Sequence, residues 1–340
     1  MITEQELSPF LSDYNDGSVV AYVRALIRHQ KQTWPMLAEG YAAFEAMETK
    51  RVPVDGAEVT VQCNTKRIRS TAARVDKESV GARRCFLCPD SLPPEEKAIA
   101  YGDELMILCN PFPVLDNHLS IVHRDHVAQQ IEGNVEPLLR LARDLSPGYF
   151  VLYNGPECGA SAPDHLHFQA CARAGLPIEA LLAEVSGEAA HCDYCATAAN
   201  EGFELFTLTN GGRTVVVYRG SSGDEVAGWV YQTINEFSRE AVAREPMVNI
   251  ICTYEKNQWT VYLFPRAKHR PASFFAEGEE RLIVSPGAID MAGVVVVPER
   301  DHFEKITGER VEAIYAEVSL SEARVVEVIE RVASVSEEAL

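Results

Sequence analysis

Asn154-Gly155-Pro156-Glu157-Cys158-Gly159-Ala160-Ser161-Ala162-Pro163-Asp164-His165-Leu166-His167-Phe168-Gln169 joins a loop of small residues to a run in which polar and apolar side chains alternate. Successive side chains of a strand leave opposite faces. His165, His167 and Gln169 are therefore expected on one face, with Leu166, Phe168 and Ala170 entering a core. A neutral imidazole attacks phosphorus readily at pH 7 and leaves readily afterwards. Gly159, Ala160 and Ser161 add backbone N–H groups and a hydroxyl suited to phosphate oxygens.

Next to this run, residues 149–154 read as a partner strand, and 135–145 as a helix whose apolar stripe includes Leu138, Leu139, Leu141 and Ala142. Upstream, 105–109 and 118–122 are β-like runs on either side of the turn Asn110-Pro111-Phe112-Pro113. A similar order returns later. Residues 203–209 and 214–218 predict a hairpin around Asn210-Gly211-Gly212, followed by a helix over 224–242 and strands at 248–253 and 259–264. Hairpin, helix and strand pair thus occur twice, at 105–171 and 203–264, as a diverged duplication would leave them. Residues 17–48 have helical periodicity interrupted near Pro35, 50–84 suggest a strand or two with a loop, and 309–338 read as an outer helix. The expected fold class is α+β, an antiparallel sheet with flanking helices. Its expected divisions are an N-terminal helical segment at 1–60, a catalytic half at 61–200, and a degenerate half with a C-terminal helix at 201–340. The two halves are expected to form one compact unit.

The chain has 340 residues, 46% hydrophobic and 24% charged, ample for a buried core and unlike a disordered chain. Lys and Arg number 31 against 50 Asp and Glu, a net charge of −19. That sign argues against nucleic acid as the principal partner, because such binding depends on neutralising phosphates. The longest apolar runs, such as 293–298, are too short to span a membrane. The acidic start Met1-Ile2-Thr3-Glu4-Gln5-Glu6 lacks the pattern of a secretory signal, so a cytoplasmic location is expected. Nine cysteines suit reduced thiols or metal ligands better than a disulfide framework. Two basic clusters could still meet a small phosphorylated ligand. They are Lys66, Arg67, Arg69, Arg74, Lys77, Arg83 and Arg84, and then Arg266, Lys268, His269 and Arg270.

The His-x-His-x-Gln run resembles the strand of the histidine-triad (HIT-like) superfamily, in the transferase branch that holds the uridylyltransferases, dinucleoside polyphosphate phosphorylases and GDP-hexose phosphorylases. Asn110-Pro111-Phe112-Pro113, His118-Leu119 and Arg124-Asp125-His126-Val127 are similar to the same superfamily's first hairpin. Ser285-Pro286-Gly287-Ala288-Ile289-Asp290-Met291-Ala292-Gly293 resembles the C-terminal part of the dinucleoside polyphosphate phosphorylases. The matches run over about residues 60–300 and are strongest at 105–171.

The resemblance implies two HIT-like repeats and a catalytic set of His165, His167 and Gln169. His167 would be the nucleophile that attacks the α-phosphorus of a nucleotide donor to form a nucleotidyl-histidine. Gln169 would hold a phosphate oxygen and favour transfer over hydrolysis, with Asn154, Gly159 and Ser161 as further phosphate contacts. Inorganic phosphate or a phosphorylated compound would then take the nucleotide. The implied activity is phosphorolysis of a nucleoside diphosphate-sugar or a dinucleoside polyphosphate, without an organic cofactor. A homodimer is implied because many relatives pair. Three other readings stay open: a HIT-type hydrolase, a hexose-1-phosphate uridylyltransferase, and a nucleotide-binding regulator.

Cys85-Phe86-Leu87-Cys88 has the spacing with which two thiolates grip one tetrahedral metal. Carried over from the uridylyltransferases motif by motif, the remaining zinc ligands would be His126 and His165, with His123 an alternative to His126. His191-Cys192-Asp193-Tyr194-Cys195 offers a second Cys-x-x-Cys, either another metal site or two buried thiols. In the second repeat, 259–264 takes the place of the histidine strand without its histidines, so that half is expected to be catalytically silent. Arg266 and Lys268 are expected to reach the polyphosphate or the acceptor, and Arg67 or Arg69 the nucleotide phosphates.

Overall fold

The short apolar runs pair into sheets in the computed structural model of the protein, which describes residues 1–11, 16–72, 75–185, 193–200, 202–239 and 245–337, with backbone alone at 69–70, 77, 185, 193–200 and 335–337. β1 (Glu48–Val54) and β2 (Ala57–Cys63) form a hairpin. The first half of the main sheet consists of β3 (Ala98–Tyr101), β4 (Leu105–Cys109), β5 (Leu119–His123), β6 (Tyr149–Asn154) and β7 (His167–Ala172). The second half consists of β8 (Asp193–Asn200), β9 (Phe203–Asn210), β10 (Arg213–Gly220), β11 (Val248–Glu255) and β12 (Gln258–Pro265). β13 (Val294–Val297) returns to pair with β2.

The main sheet has ten antiparallel strands in the order β3-β4-β5-β7-β6-β11-β12-β10-β9-β8. Read outward from the centre, one half runs 6-7-5-4-3 and the other 11-12-10-9-8, the same order shifted by five. Each half also carries a crossing helix before its central strand, Val135–Asp144 in the first and Gly223–Ser238 in the second. β6 and β11 pair antiparallel, with Asn154 opposite Asn249, so an approximate two-fold runs between the halves. The repeat expected from the sequence is a repeat of topology, and the fold class is the α+β arrangement that was expected.

Alternation along the strands fills both faces. Ile121, Val151, Tyr153, Phe168 and Ile250 pack beneath the long helices, within one core. Phe150, Leu152, Val217, Ile251 and Phe264 face the other way, against the small sheet and its short helices, within a second core. Phe168 is fully buried, and burying such a side chain contributes about 1.5–3 kcal/mol.

Several boundaries differ from expectation. The helical region is two helices, Val19–Thr33 and Pro35–Glu45, because Pro35 is accepted at a first-turn position where its missing N–H costs nothing. The hairpin starts at Glu48, so the 1–60 segment is not helical throughout. β7 begins at His167, two residues after the expected start. β13 was not anticipated. Its four valines are all buried, and a continuous apolar run of this length does not by itself distinguish strand from helix. Among the described residues, no helix is long and apolar enough to cross a membrane.

Candidate active site and metal centre

The strand β7 and the loop before it open into a cleft between the main sheet and the segment that leads into β13. Its wall includes Asn154, Gly159, Ser161, His167, Gln169 and Arg67, six of the residues singled out from sequence. His167 is held at both of its hydrogen-bonding ends. Its backbone N–H donates to Gln129 Oε1 at 2.8 Å, and its ring Nδ1 lies 2.8 Å from the carbonyl oxygen of His165. A carbonyl can only accept, so Nδ1 carries the proton and Nε2 keeps its lone pair. Burial pushes the imidazole down to about 4, which leaves it neutral at pH 7.

Gln169 is oriented by His118, a residue that its own stretch of sequence does not mark as part of the site. Val114 N–H donates to His118 Nδ1 at 3.2 Å, which puts the ring proton on Nε2. That Nε2–H donates to Gln169 Oε1 at 2.8 Å. His118 is fully buried, and burial followed by the nearby Arg67 charge lowers it to about 3, so it is a neutral donor. With its oxygen engaged, Gln169 has its amide NH2 as the remaining functional end. Asn154 is fixed similarly: its Oδ1 accepts from Ala288 N–H and from Asn249 Nδ2, each at 2.8 Å. Gln129 ties the strands together by donating to the carbonyls of Asn154 and His167.

Gly159 sits at φ +105°, and a Cβ there would come within 2.9 Å of Gly287 Cα and 3.1 Å of Asn154 Oδ1. Gly159→Ala is expected to cost about 1–3 kcal/mol in backbone strain, before any displacement of the loop. Chemical denaturation of the variant beside the wild type measures this directly.

Behind the cleft wall, four side chains converge. Cys85 Sγ lies 3.2 Å and Cys88 Sγ 3.6 Å from His165 Nδ1, and Cys88 Sγ lies 3.3 Å from His126 Nδ1. All four ligand atoms fall within 4.8 Å of one another. Zinc bonded tetrahedrally to sulfur and imidazole nitrogen sets such S···N separations near 3.5 Å, roughly what these contacts show. Both rings are also turned correctly. His165 Nε2 donates to the His123 carbonyl at 2.7 Å, and His126 Nε2 faces Asp164 Oδ2 at 3.6 Å, leaving each Nδ1 toward the sulfurs. The donor set fits a tetrahedral metal. His126 rather than His123 completes it, since His123 Nδ1 accepts from Asp125 N–H. His165, expected to share the face of His167, instead turns to these thiols, because the strand has not yet begun at its position.

The second-half cations depart from expectation. Arg266 is 3% exposed and donates to the carbonyls of Val318, Pro286, Lys268 and His269 and to Asn249 Oδ1, so it braces backbone and does not reach the cleft. The chain continues in register past β12, with Arg266 N–H bonded to Met247 O, and this keeps its side chain under the sheet. Lys268 is exposed and paired with Glu317 at 2.9 Å. Their neighbours His269 and Arg270 line the cleft instead. The side chains of Arg69, Cys192 and Cys195 lie outside the described residues. In β12 the face equivalent to that of His167 carries Tyr262 and Phe264, both packed in apolar surroundings.

Two matched half-sheets, with a buried histidine beside their junction and a Cys2His2 cluster near it, define an α+β protein built from two topological repeats. Residues 187–339 match the model of the GDPGP1-like C-terminal domain, and residues 26–172 match that of a domain of unknown function, DUF4922. Among solved structures, the chain is similar to the yeast Ap4A phosphorylase Apa2. Against its complex with AMP the TM-score is 0.56 at 17% identity, covering 88% of this chain and 96% of that one. The Apa2 structure described without a ligand gives 0.53 at 17% identity over 86% and 94%. The complex with Ap4A gives 0.51 at 16% over 85% and 97%. No curated protein sequence matches the chain. The chain thus shares the fold of this phosphorylase, and its residues 187–339 are similar in sequence to the GDPGP1-like C-terminal domain.

Proposed function

We propose that the protein transfers a nucleoside monophosphate through a covalent intermediate on His167, in phosphorolysis of a nucleoside diphosphate-sugar or a dinucleoside polyphosphate. The observation that carries this reading is the fixed tautomer of His167: Nδ1–H bonded to the His165 carbonyl, with an unprotonated Nε2 on a polar cleft wall. Nε2 attacks the α-phosphorus, a P–N bond forms, and the P–O bond to the leaving phosphate or sugar-phosphate breaks with its electron pair on oxygen. A phosphate oxygen then attacks the same phosphorus from the vacated side, and the P–N bond breaks to regenerate the neutral imidazole.

Gln169 NH2 and the Asn154 amide would hold nonbridging oxygens in both steps, with backbone N–H groups of the loop at 159–161 beside them. Cys85, Cys88, His126 and His165 would hold a zinc ion, whose contribution is structural: it clamps the start of β7 behind the nucleophile. The Apa2 complexes with AMP and Ap4A lend support for a nucleotide ligand on this fold.

The test is an intact-mass measurement. The protein is incubated briefly with ADP-, GDP- and UDP-sugars and with diadenosine tetraphosphate, without acceptor. A gain of one nucleoside monophosphate, lost in acid, is expected. Free nucleoside monophosphate without an adduct or phosphorolysis would favour a hydrolase. A further prediction concerns Gln169→Glu, which sets a carboxylate where the amide donates. Both half-reactions are expected to slow roughly 10²-fold, measured by rapid-quench formation and discharge of the adduct.

A further inference from the structure

In-line displacement at phosphorus needs two anion-holding regions, one around the attacked phosphoryl group and one on the far side for the group that departs or arrives. The residues about His167 supply the first. A second polar group on the wall of the same cleft comes from the other half of the chain, just past β12 and at the entry to β13. His269, Arg270 and Ser285 all line the same cleft. Arg270 Nε donates to Ser285 Oγ at 2.9 Å, and Nη2 donates to the Thr71 carbonyl at 3.0 Å. The guanidinium stacks over the Phe274 ring at 4.2 Å. His269 Nε2 lies 3.4 Å from the same Ser285 hydroxyl.

A guanidinium held in one plane by hydrogen bonds and a ring is a preorganised charged donor for phosphate. Arg67 and Arg270 are the arginines on the cleft wall among the described residues, and no lysine joins them. Arg67 belongs to the first half, where its Nη1 donates to the Phe112 carbonyl at 3.1 Å. Burial, reinforced by Arg270 and Arg266, lowers His269 to about 4, so it serves as a neutral hydrogen-bonding group beside the charge.

We propose that His269, Arg270 and Ser285 form the subsite for the incoming phosphate, where they hold inorganic phosphate as acceptor and, in the reverse sense, the phosphate of the departing group. This rests on the nucleotidyl-transfer reading and adds to it a division of labour. The half without the histidine strand contributes an anion site to the cleft that holds the other half's nucleophile. The acceptor becomes the β-phosphate of the nucleoside diphosphate product, so the affinity gained from nucleoside mono- to diphosphate reads this subsite directly.

The experiment is calorimetric titration of AMP, GMP and UMP against ADP, GDP and UDP with the wild type, Arg270→Gln and Ser285→Ala. For the base that binds, the wild type is expected to prefer the diphosphate by roughly tenfold or more, since a charge-assisted bond to phosphate is of that size. Arg270→Gln should remove most of this preference and leave monophosphate affinity within about twofold. Ser285→Ala should reduce it partially. The proposal is overturned by a wild type without the preference, by an Arg270→Gln protein that retains it, or by equal loss of mono- and diphosphate affinity. If Arg270→Gln unfolds at assay temperature, Arg270→Lys carries the comparison, with charge kept and the planar guanidinium lost. Adduct formation on the wild type is scored separately. A retained preference with no adduct sinks nucleotidyl transfer but leaves the subsite standing.

Discussion

His167→Ala protein mixed with the donor that labels the wild type is expected to gain no mass, and phosphorolysis is expected to fall on the order of 10⁴-fold or more. The size follows because neither His118 nor His165 can take its place. His118 Nε2–H is bonded to Gln169 and its Nδ1 accepts from Val114 N–H. His165 has Nε2 on the His123 carbonyl and Nδ1 on the thiols. Neither ring has a lone pair left on the cleft side. The loss should be confined to chemistry, because the backbone bond from residue 167 to Gln129 does not involve the imidazole. Nucleoside monophosphate affinity within a few fold of wild type, measured by calorimetry, separates loss of the nucleophile from collapse of the site. An adduct of full stoichiometry on the variant would mean that another residue is the nucleophile.

The part of this site carried by one strand was legible in the sequence, because alternation alone puts His167 and Gln169 on one face. The Cys85/Cys88 pair was legible for a different reason: chelation fixes spacing locally. Contacts that depend on register were not legible. His118 meets Gln169 because β5 and β7 pair with Ser120 opposite Gln169, and nothing in either strand's own sequence states that offset. Asn249 reaches Asn154 only because β6 and β11 meet at the junction of the half-sheets. The second basic cluster shows the same gap. Its composition marked a charged stretch, but whether Arg266 or Arg270 meets the cleft depends on where the chain leaves the sheet. Arg266 stays in register and is spent on carbonyls, and Arg270 lies past the turn.

The second large effect is expected from removing the metal. Protein purified without chelator should contain one zinc per chain by elemental analysis, and Cys85→Ser should contain little. The four ligands come from three stretches of chain, with Cys85 lying 80 residues from His165. An ion here therefore closes long loops and holds the start of β7 against the 85–88 segment. Leaving the cluster unmetallated brings two thiols and two imidazoles together with no ion to bind them. A loss of about 3–4 kcal/mol corresponds to a fall in Tm of roughly 5 °C for a chain of this length. Activity should fall with it, although the ion touches no reacting atom. The His165 ring would be a zinc ligand, and its carbonyl is the acceptor that fixes His167 Nδ1–H. A loosened His165 lets the imidazole of His167 turn, which lowers the fraction with Nε2 aimed at phosphorus. The expected signature is a kcat about tenfold lower with KM little changed. Cobalt or cadmium, which accept the same tetrahedral sulfur–nitrogen set, should restore both Tm and kcat. Restoration of Tm alone would make the cluster a staple of the fold with no hold on the nucleophile. Full activity after complete zinc loss would break the link between His165 and His167.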